Sequence, residues 1–297
     1  MLNKVLPVLL LSLFVSTARA QDNKAMLKAI EDSLVIAIDT MYERRIPDEM
    51  PMMNERIIKQ LVRALKIEGS YNYPFDSLGK RINIIYPDDK SFRIFNWAIA
   101  PEENTRRYYA AIQMKGNMLK LYPLVDCSGD LGKMTEDTVL TKGKWFGAIY
   151  YRILTKEVDG RKIYTMFGAN TASPIISRKL MDPMEITENG PVFGAPVFNV
   201  RSKNKPEERI NRFILEYKKY AQVALNWDAE LNAVYYDHLE SETNDPNRKY
   251  TFVPSGQYDG LRWVDGYWNM VQDLIPIDAL KDGAAPVPQP YKGRGDN

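Results

Sequence analysis

The chain has 297 residues, with 40 Lys plus Arg against 38 Asp plus Glu, one histidine (His238) and one cysteine (Cys127). That inventory excludes a disulfide-stapled fold, a structural zinc site of the usual four-Cys/His kind, and a catalytic zinc held by three histidines or by H-E-x-x-H. The first twenty residues hold Lys4 and Arg19 and no acid, which leaves 38 charges of each sign beyond them. A balanced chain without a long basic block argues against a nucleic-acid partner.

Residues 1–20 have the form of a cleaved signal peptide. Lys4 is the positive n-region, VLPVLLLSLFV the apolar h-region, and Ala18-Arg19-Ala20 the small-x-small cleavage site, with Gln21 as the mature start. The alternative is an uncleaved anchor, but no basic stop-transfer flank follows the run. No later stretch reaches the roughly 20 apolar residues of a transmembrane helix. The mature chain is therefore expected to be exported, periplasmic or secreted, and not membrane-spanning.

A helical segment is expected over 21–69. Leu27, Ile30, Leu34, Ile38 and Met41 recur at helical spacing. So do Met53, Ile57, Leu61 and Leu65, with Gly69 as the stop. Pro47 and Pro51 mark the connector, and core packing is the expected role of both stripes.

An antiparallel β domain is expected over 70–282, arranged as a meander that forms a sandwich or rolled sheet. Its signals are short alternating runs parted by turns: Lys115-Gly116-Asn117, Asp159-Gly160, Asn189-Gly190, the region Asp228 to Glu230, Asp259-Gly260 and Asp265-Gly266. The run before Asp159 is apolar on both faces, which predicts a central, covered strand. Residues 208–239 read as three strands. No βαβ crossover and no fixed repeat is visible, which disfavours a doubly wound sheet and lowers the prospect of a propeller. Residues 283–297 hold no core pattern and read as a flexible tail ending in Arg294-Gly295-Asp296, where chance explains the tripeptide.

Chemistry is approached by elimination. There is no G-x-S-x-G elbow, no P-loop and no G-x-G-x-x-G, so no cofactor is expected. Cys127 reads as a small buried hydrophobe. Two segments, 126–132 and 240–247, are rich in oxygen ligands but match no EF-hand, so no metal is assigned. Carboxylate chemistry remains, with Asp237, Glu240, Glu242, Asp259 and Asp265 near the C-terminal hairpins. A glycosidase needs two such acids a few ångströms apart, yet solvated turn acids look the same. In AVYYDHLES (233–241), His238 falls at a strand end on the face of Val234 and Tyr236. It is expected to bond a backbone carbonyl or a neighbouring acid. The catalytic alternative draws on Asp237, His238, Glu240 and Asp259. Trp227, Trp263 and Trp268 are the candidate ligand-binding rings, since sugar faces stack on aromatics; filling the core is their other reading.

The order of the C-terminal third resembles a family of exported β-rich bacterial proteins. The residues concerned are GPVFGAPVF, then FILEYKKYAQVALNWDAELNAVYYDHLES, then YTFVPSGQYDGLRWVDGYW, within 187–270. The resemblance implies an exported β fold and no particular activity. Two functions follow as expectations. One is a non-enzymatic protein that binds another envelope protein. The other is a glycan-binding or glycan-cleaving protein that uses exposed aromatics and a carboxylate pair.

Overall fold

The computed structural model describes residues 5–102, 105–130, 136–200 and 208–276, with side chains from residue 21 onward. The expected tail, 283–297, lies outside the described residues. Two helices come first, α1 (Val5–Arg44) and α2 (Met50–Leu65). Among the described residues no helix is long and apolar enough to cross a membrane.

Sixteen strands follow among the described residues. They are β1 (Asn83–Ile85), β2 (Phe92–Ile99), β3 (Arg107–Met114), β4 (Leu121–Val125), β5 (Leu140–Thr141), β6 (Ile149–Val158), β7 (Arg161–Asn170), β8 (Ile176–Thr187), β9 (Gly190–Phe193), β10 (Phe198–Val200), β11 (Glu208–Ile210), β12 (Phe213–Lys218), β13 (Leu225–Asp228), β14 (Ala233–Ser241), β15 (Phe252–Val264) and β16 (Tyr267–Ile275). They form three sheets. The first has the order β1-β2-β3-β4. The second has the order β5-β9-β8-β7-β6, with β12 also paired to β8. The third has the order β11-β10-β16-β15-β14-β13. Every pairing is antiparallel except β10 with β16. The mainly β architecture behind two helices is the one that the hairpin spacing predicts, and the sheets are stacked rather than rolled.

Alternation along the strands explains the stacking. On β2, Phe95, Trp97 and Ile99 join the helices' Leu34, Ile38, Ile57 and Leu61 in one apolar cluster. Phe92 and Ile94, on the opposite face, join Tyr164, Met166 and Leu180 of the second sheet. On β7, Ile163 and Phe167 point the other way and meet Leu225, Val234, Leu261 and Trp268 of the third sheet. The layers are therefore helices, first sheet, second sheet, third sheet. The helical stripes fill the core as expected. Two polar clusters hold α1 and the segment after α2 in place. Buried Glu31 accepts hydrogen bonds from the amides of Ser77 and Leu78 at 2.8 and 3.0 Å. Buried Arg93 donates to Gln113 Oε1 and to the carbonyls of Tyr73 and Ser70 at 2.7–2.8 Å.

Several turn expectations hold. Asp159 and Gly160 have φ of 50° and 73°, and Asp265 and Gly266 have 50° and 84°, the positive angles of a type I′ hairpin. Three readings need correction. First, β6 is the outermost strand of its sheet, and its neighbour β7 is the one buried on both faces. β6 is apolar on two faces because its flanks meet two different sheets, while its edge is met by polar side chains. The Tyr150 amide donates to Asn96 Oδ1 at 2.6 Å, and Asn96 Nδ2 donates to the Ala148 carbonyl at 3.0 Å. Second, Asp259-Gly260 is no turn but lies within β15. A Cβ on Gly260 would lie 2.7 Å from the Val234 carbonyl oxygen and 2.4 Å from Leu274 Cδ2, so close approach rather than turning explains the glycine. Third, residues 208–241 form four strands, because a break at Asn211-Arg212 separates β11 from β12.

Candidate functional site

His238 lies inside β14 at a register shift between Asp237 and Leu239, not at the strand's end. Its Nδ1 is 2.7 Å from Asp259 Oδ2 on β15. Asp259 Oδ1 accepts the Asp273 amide at 3.1 Å. The other ring nitrogen, Nε2, is 4.0 Å from Glu240 Oε1. Of the two partners expected for this histidine, the neighbouring acid is the one found. Tyr236 lies directly opposite Asp259 in the register. Its hydroxyl is buried and has no hydrogen-bond partner among the described residues. Burial drives the Tyr236 pKa far above the ordinary phenol range, and the Asp259 charge adds to it.

Asp237 does not join this group. It points to the opposite face, where its Oδ2 accepts the Ala224 amide at 2.6 Å. That bond ties β14 to the approach to β13. Glu240 is largely exposed. Glu242 pairs with Lys218 at 2.7 Å on the surface, and Asp265 is the hairpin residue described above. The structure thus brings His238 and Asp259 together and leaves Asp237 out.

The three tryptophans do meet. Trp268 lies 6.2 Å from Trp227 and 5.1 Å from Trp263 between ring centroids. The Lys156 ammonium caps the group, 5.2, 6.0 and 5.5 Å from the Trp227, Trp263 and Trp268 centroids. Burial lowers the Lys156 pKa, which cation–π attraction to three rings offsets in part. Trp268 is fully buried and offers no face to a sugar. Trp227 and Trp263 are half-buried and pack against the core between the second and third sheets.

A second polar group is wholly interior and escaped the sequence reading. Trp145 Nε1 donates to Tyr150 Oη at 2.8 Å, and Tyr150 Oη donates to Asp182 Oδ2 at 2.8 Å. Arg212 Nε donates to Asp182 Oδ1 at 2.7 Å. All four residues are fully buried, at 0 % exposure. Burial pushes Asp182 upward, and Arg212 and Tyr150 pull it back. The signal was present: Asp182 stands alone among apolar neighbours in LMDPM, and Arg212 is the lone charge in INRFIL. Above this group the backbone carbonyl of Glu136 accepts the amides of Asn211 and Arg212 at 2.9 and 3.0 Å. Lost hydration pushes the Glu136 carboxyl up to about 7, and the charges of Glu216 and Asp137 add to the effect. Glu216 itself accepts from Arg178 Nε at 2.8 Å. Cys127 is half-buried rather than buried, and burial raises its thiol pKa. Among the described residues no group of three or more His, Cys, Asp or Glu is placed to hold a metal ion.

The outer face of the third sheet has a different character. The register places Arg209 and Asn199 opposite each other on β11 and β10. Asn199 is in line with Asn269, and Asn269 with Arg262. Val264 lies opposite Tyr267, Gly260 opposite Val271, and Tyr235 opposite both Gly260 and Asn226. All of these share one face. Most of its polar side chains contact one another. Asn199 Nδ2 donates to Asn269 Oδ1 at 2.8 Å. The Arg209 guanidinium lies 4.4 Å from the Tyr267 centroid, and Tyr235 packs edge-on to Tyr258 at 5.9 Å. None of these residues belongs to the apolar clusters between the layers. Arg209, Arg262 and Val264 are exposed, while Asn199, Asn226, Asn269, Tyr235, Tyr258 and Tyr267 are half-buried.

Comparison with protein-family models, with curated proteins and with solved structures finds no match for this chain.

Proposed function

We propose that this is an exported binding protein, and that its ligand, a component of the bacterial cell envelope, seats on the outer face of the third sheet. The leader-like residues 1–20 support export. The observation that carries the binding role is the composition of that face. A merely solvated sheet face needs only soluble side chains. This one sets tyrosine rings and side-chain amides beside two arginines, the groups that contact ligands through ring stacking and directed hydrogen bonds. The sheet is held on a rigid support, since its inner face packs on Ile163, Phe167 and Met181 of the second sheet.

Crosslinked pull-down from envelope extract tests the role. The mature chain should retain an envelope component that Arg262→Glu and Tyr235→Ala lose, while the remote helix variant Lys59→Glu retains it. Equal recovery by all three variants counts against the face.

One observation favours a second reading, cleavage of a glycan by a carboxylate pair. Glu136 has a carboxyl pushed up to about 7 near Glu216, which Arg178 pairs at 2.8 Å. An acid with a raised pKa beside a second carboxyl is the arrangement from which glycoside hydrolysis draws its general acid. Loss of polysaccharide hydrolysis in Glu136→Gln would support it. An absence of hydrolysis in the unsubstituted protein, across neutral and acidic polysaccharides, would end it.

A further inference from the structure

We infer that Ser177, Lys179 and Tyr217 form a binding site for the carboxylate of a small organic acid, at the seam between the second and third sheets. The site lies on the inner side of the third sheet and does not depend on the outer face proposed above.

Placement is the first argument. The register of β8 with β12 sets Ser177 opposite Tyr217 and Lys179 opposite Leu215. Cross-strand partners, and residues two apart, share a face. All three side chains therefore lie on the face of Met181 and Phe213, which packs on the third sheet. Tyr151 of β6 closes the group. The Lys179 ammonium lies 4.7 Å from the centroid of the Tyr151 ring, and the Tyr151 hydroxyl donates to the Leu225 carbonyl of β13 at 2.7 Å.

Unused donors are the second. Ser177 and Tyr217 are only 5 % and 4 % exposed. Lys179 is half-buried on a strand flanked by β7 and β12. Among the described residues none of the three side chains has a hydrogen-bond or ion-pair partner, although polar groups at such depth are ordinarily paired. Unlike the Tyr236 hydroxyl, those of Ser177 and Tyr217 are not sealed from solvent, so the oxygens of a ligand can reach them. One ammonium and two hydroxyl donors suit the two oxygens of a carboxylate.

Charge is the third. Burial alone lowers the Lys179 pKa, with no carboxylate to oppose it. Burial also pushes Tyr217 up to about 12, and Tyr108 adds to the effect. The charged groups that act on the adjoining Tyr151 and Lys219 are Arg152 and Arg106. The acids of the surrounding strands are placed elsewhere. Asp182 and Glu216 lie on the opposite face of the second sheet, paired with Arg212 and Arg178. Asp237 is on the outer face of the third sheet, and Asp259, on its inner face, is 2.7 Å from His238. The second lysine, Lys219, gives its donors to the carbonyls of Thr171 and Ser173 at 2.7 and 2.6 Å. The group thus offers one ammonium with donors to spare, which matches one negative charge better than the two of a phosphate dianion.

Ligand-observed NMR titration of the mature protein with benzoate, benzamide and inorganic phosphate tests the inference. Benzoate should bind, and benzamide, its uncharged counterpart, should not. Lys179→Gln should weaken benzoate binding about tenfold or more. Tyr217→Phe keeps the ring and should weaken it about fivefold, which keeps the test decisive if circular dichroism shows that Lys179→Gln does not fold. The remote helix variant Lys59→Gln should bind as the parent does. A parent protein that does not bind benzoate, or binding that Lys179→Gln and Tyr217→Phe leave intact, would overturn the site. Equal binding of benzamide would refute the charge argument. Phosphate bound as tightly as benzoate, with the same dependence on Lys179, would overturn the assignment to a carboxylate.

Discussion

His238 and Asp259 meet across β14 and β15 with Nδ1 2.7 Å from Oδ2, at the point where the two strands slip register. The pair holds the irregularity in place, because Asp259 also accepts the Asp273 amide from β16. His238→Gln should keep the fold and lower stability by about 1 kcal/mol, the worth of one hydrogen bond. Combined with Asp259→Asn in a double-mutant cycle, it should show a coupling of about 0.5 kcal/mol or more. Strictly additive losses in urea unfolding would show that the contact contributes nothing of its own.

The buried pair Arg212 and Asp182 should behave differently. Arg212→Met leaves Asp182 at 0 % exposure, with the Tyr150 hydroxyl still donating to it. The expected cost is about 3–5 kcal/mol. The double variant Arg212→Met/Asp182→Leu should recover a large part of that loss, since it removes the orphaned charge. A double variant less stable than Arg212→Met alone would contradict this account.

Tyr236→Phe should be neutral or stabilising, by up to about 1 kcal/mol, because it deletes a buried hydroxyl that has no partner among the described residues and keeps the ring. The ring packs 5.0 Å from Phe213, so Tyr236→Ala should instead cost about 3–5 kcal/mol. Thermal unfolding of the two variants separates these outcomes; a melting temperature for Tyr236→Phe well below that of the parent would place the hydroxyl in a bond.

Much of this architecture was legible beforehand. The helical stripes of residues 27–65 and the Asp-Gly hairpins at 159 and 265 are local signals, and local geometry decides them. What escaped was set by distant partners. Asp259-Gly260 has the chemistry of a turn, but Leu274 and the Val234 carbonyl close over the glycine. β6 reads as central, yet two different sheets cover its flanks and it remains an edge. Asp237 and His238 are adjacent in sequence and opposite in space, as strand alternation requires. The union of His238 with Asp259 depended on a register no local pattern encodes. The three tryptophans, close in the chain, do meet, but the Lys156 that caps them arrives from another sheet.

Glu136 gives the pH dependence. Its folded carboxyl pKa of about 7 lies above the ordinary 4.5. The folded chain therefore holds a proton that the unfolded chain releases between those values. Stability should fall as pH rises from about 4.5 to 7, and should recover on acidification through that window. Because much of the residue is open to solvent, the effect should be on the order of 1 kcal/mol. Glu136→Gln should flatten the slope of stability against pH in that range, and an unchanged slope would assign it to other groups.

The binding role of the third sheet's outer face is the central claim, and site-specific photo-crosslinking in the native host tests it most directly. A photoreactive residue replaces Arg262 or Tyr235 in one pair of strains, and the helix-surface residues Ile36 or Lys59 in another. The account predicts a higher-mass adduct in the envelope fraction from positions 262 and 235 and none from 36 and 59. Adducts at the helix positions with none at 262 or 235 would contradict it.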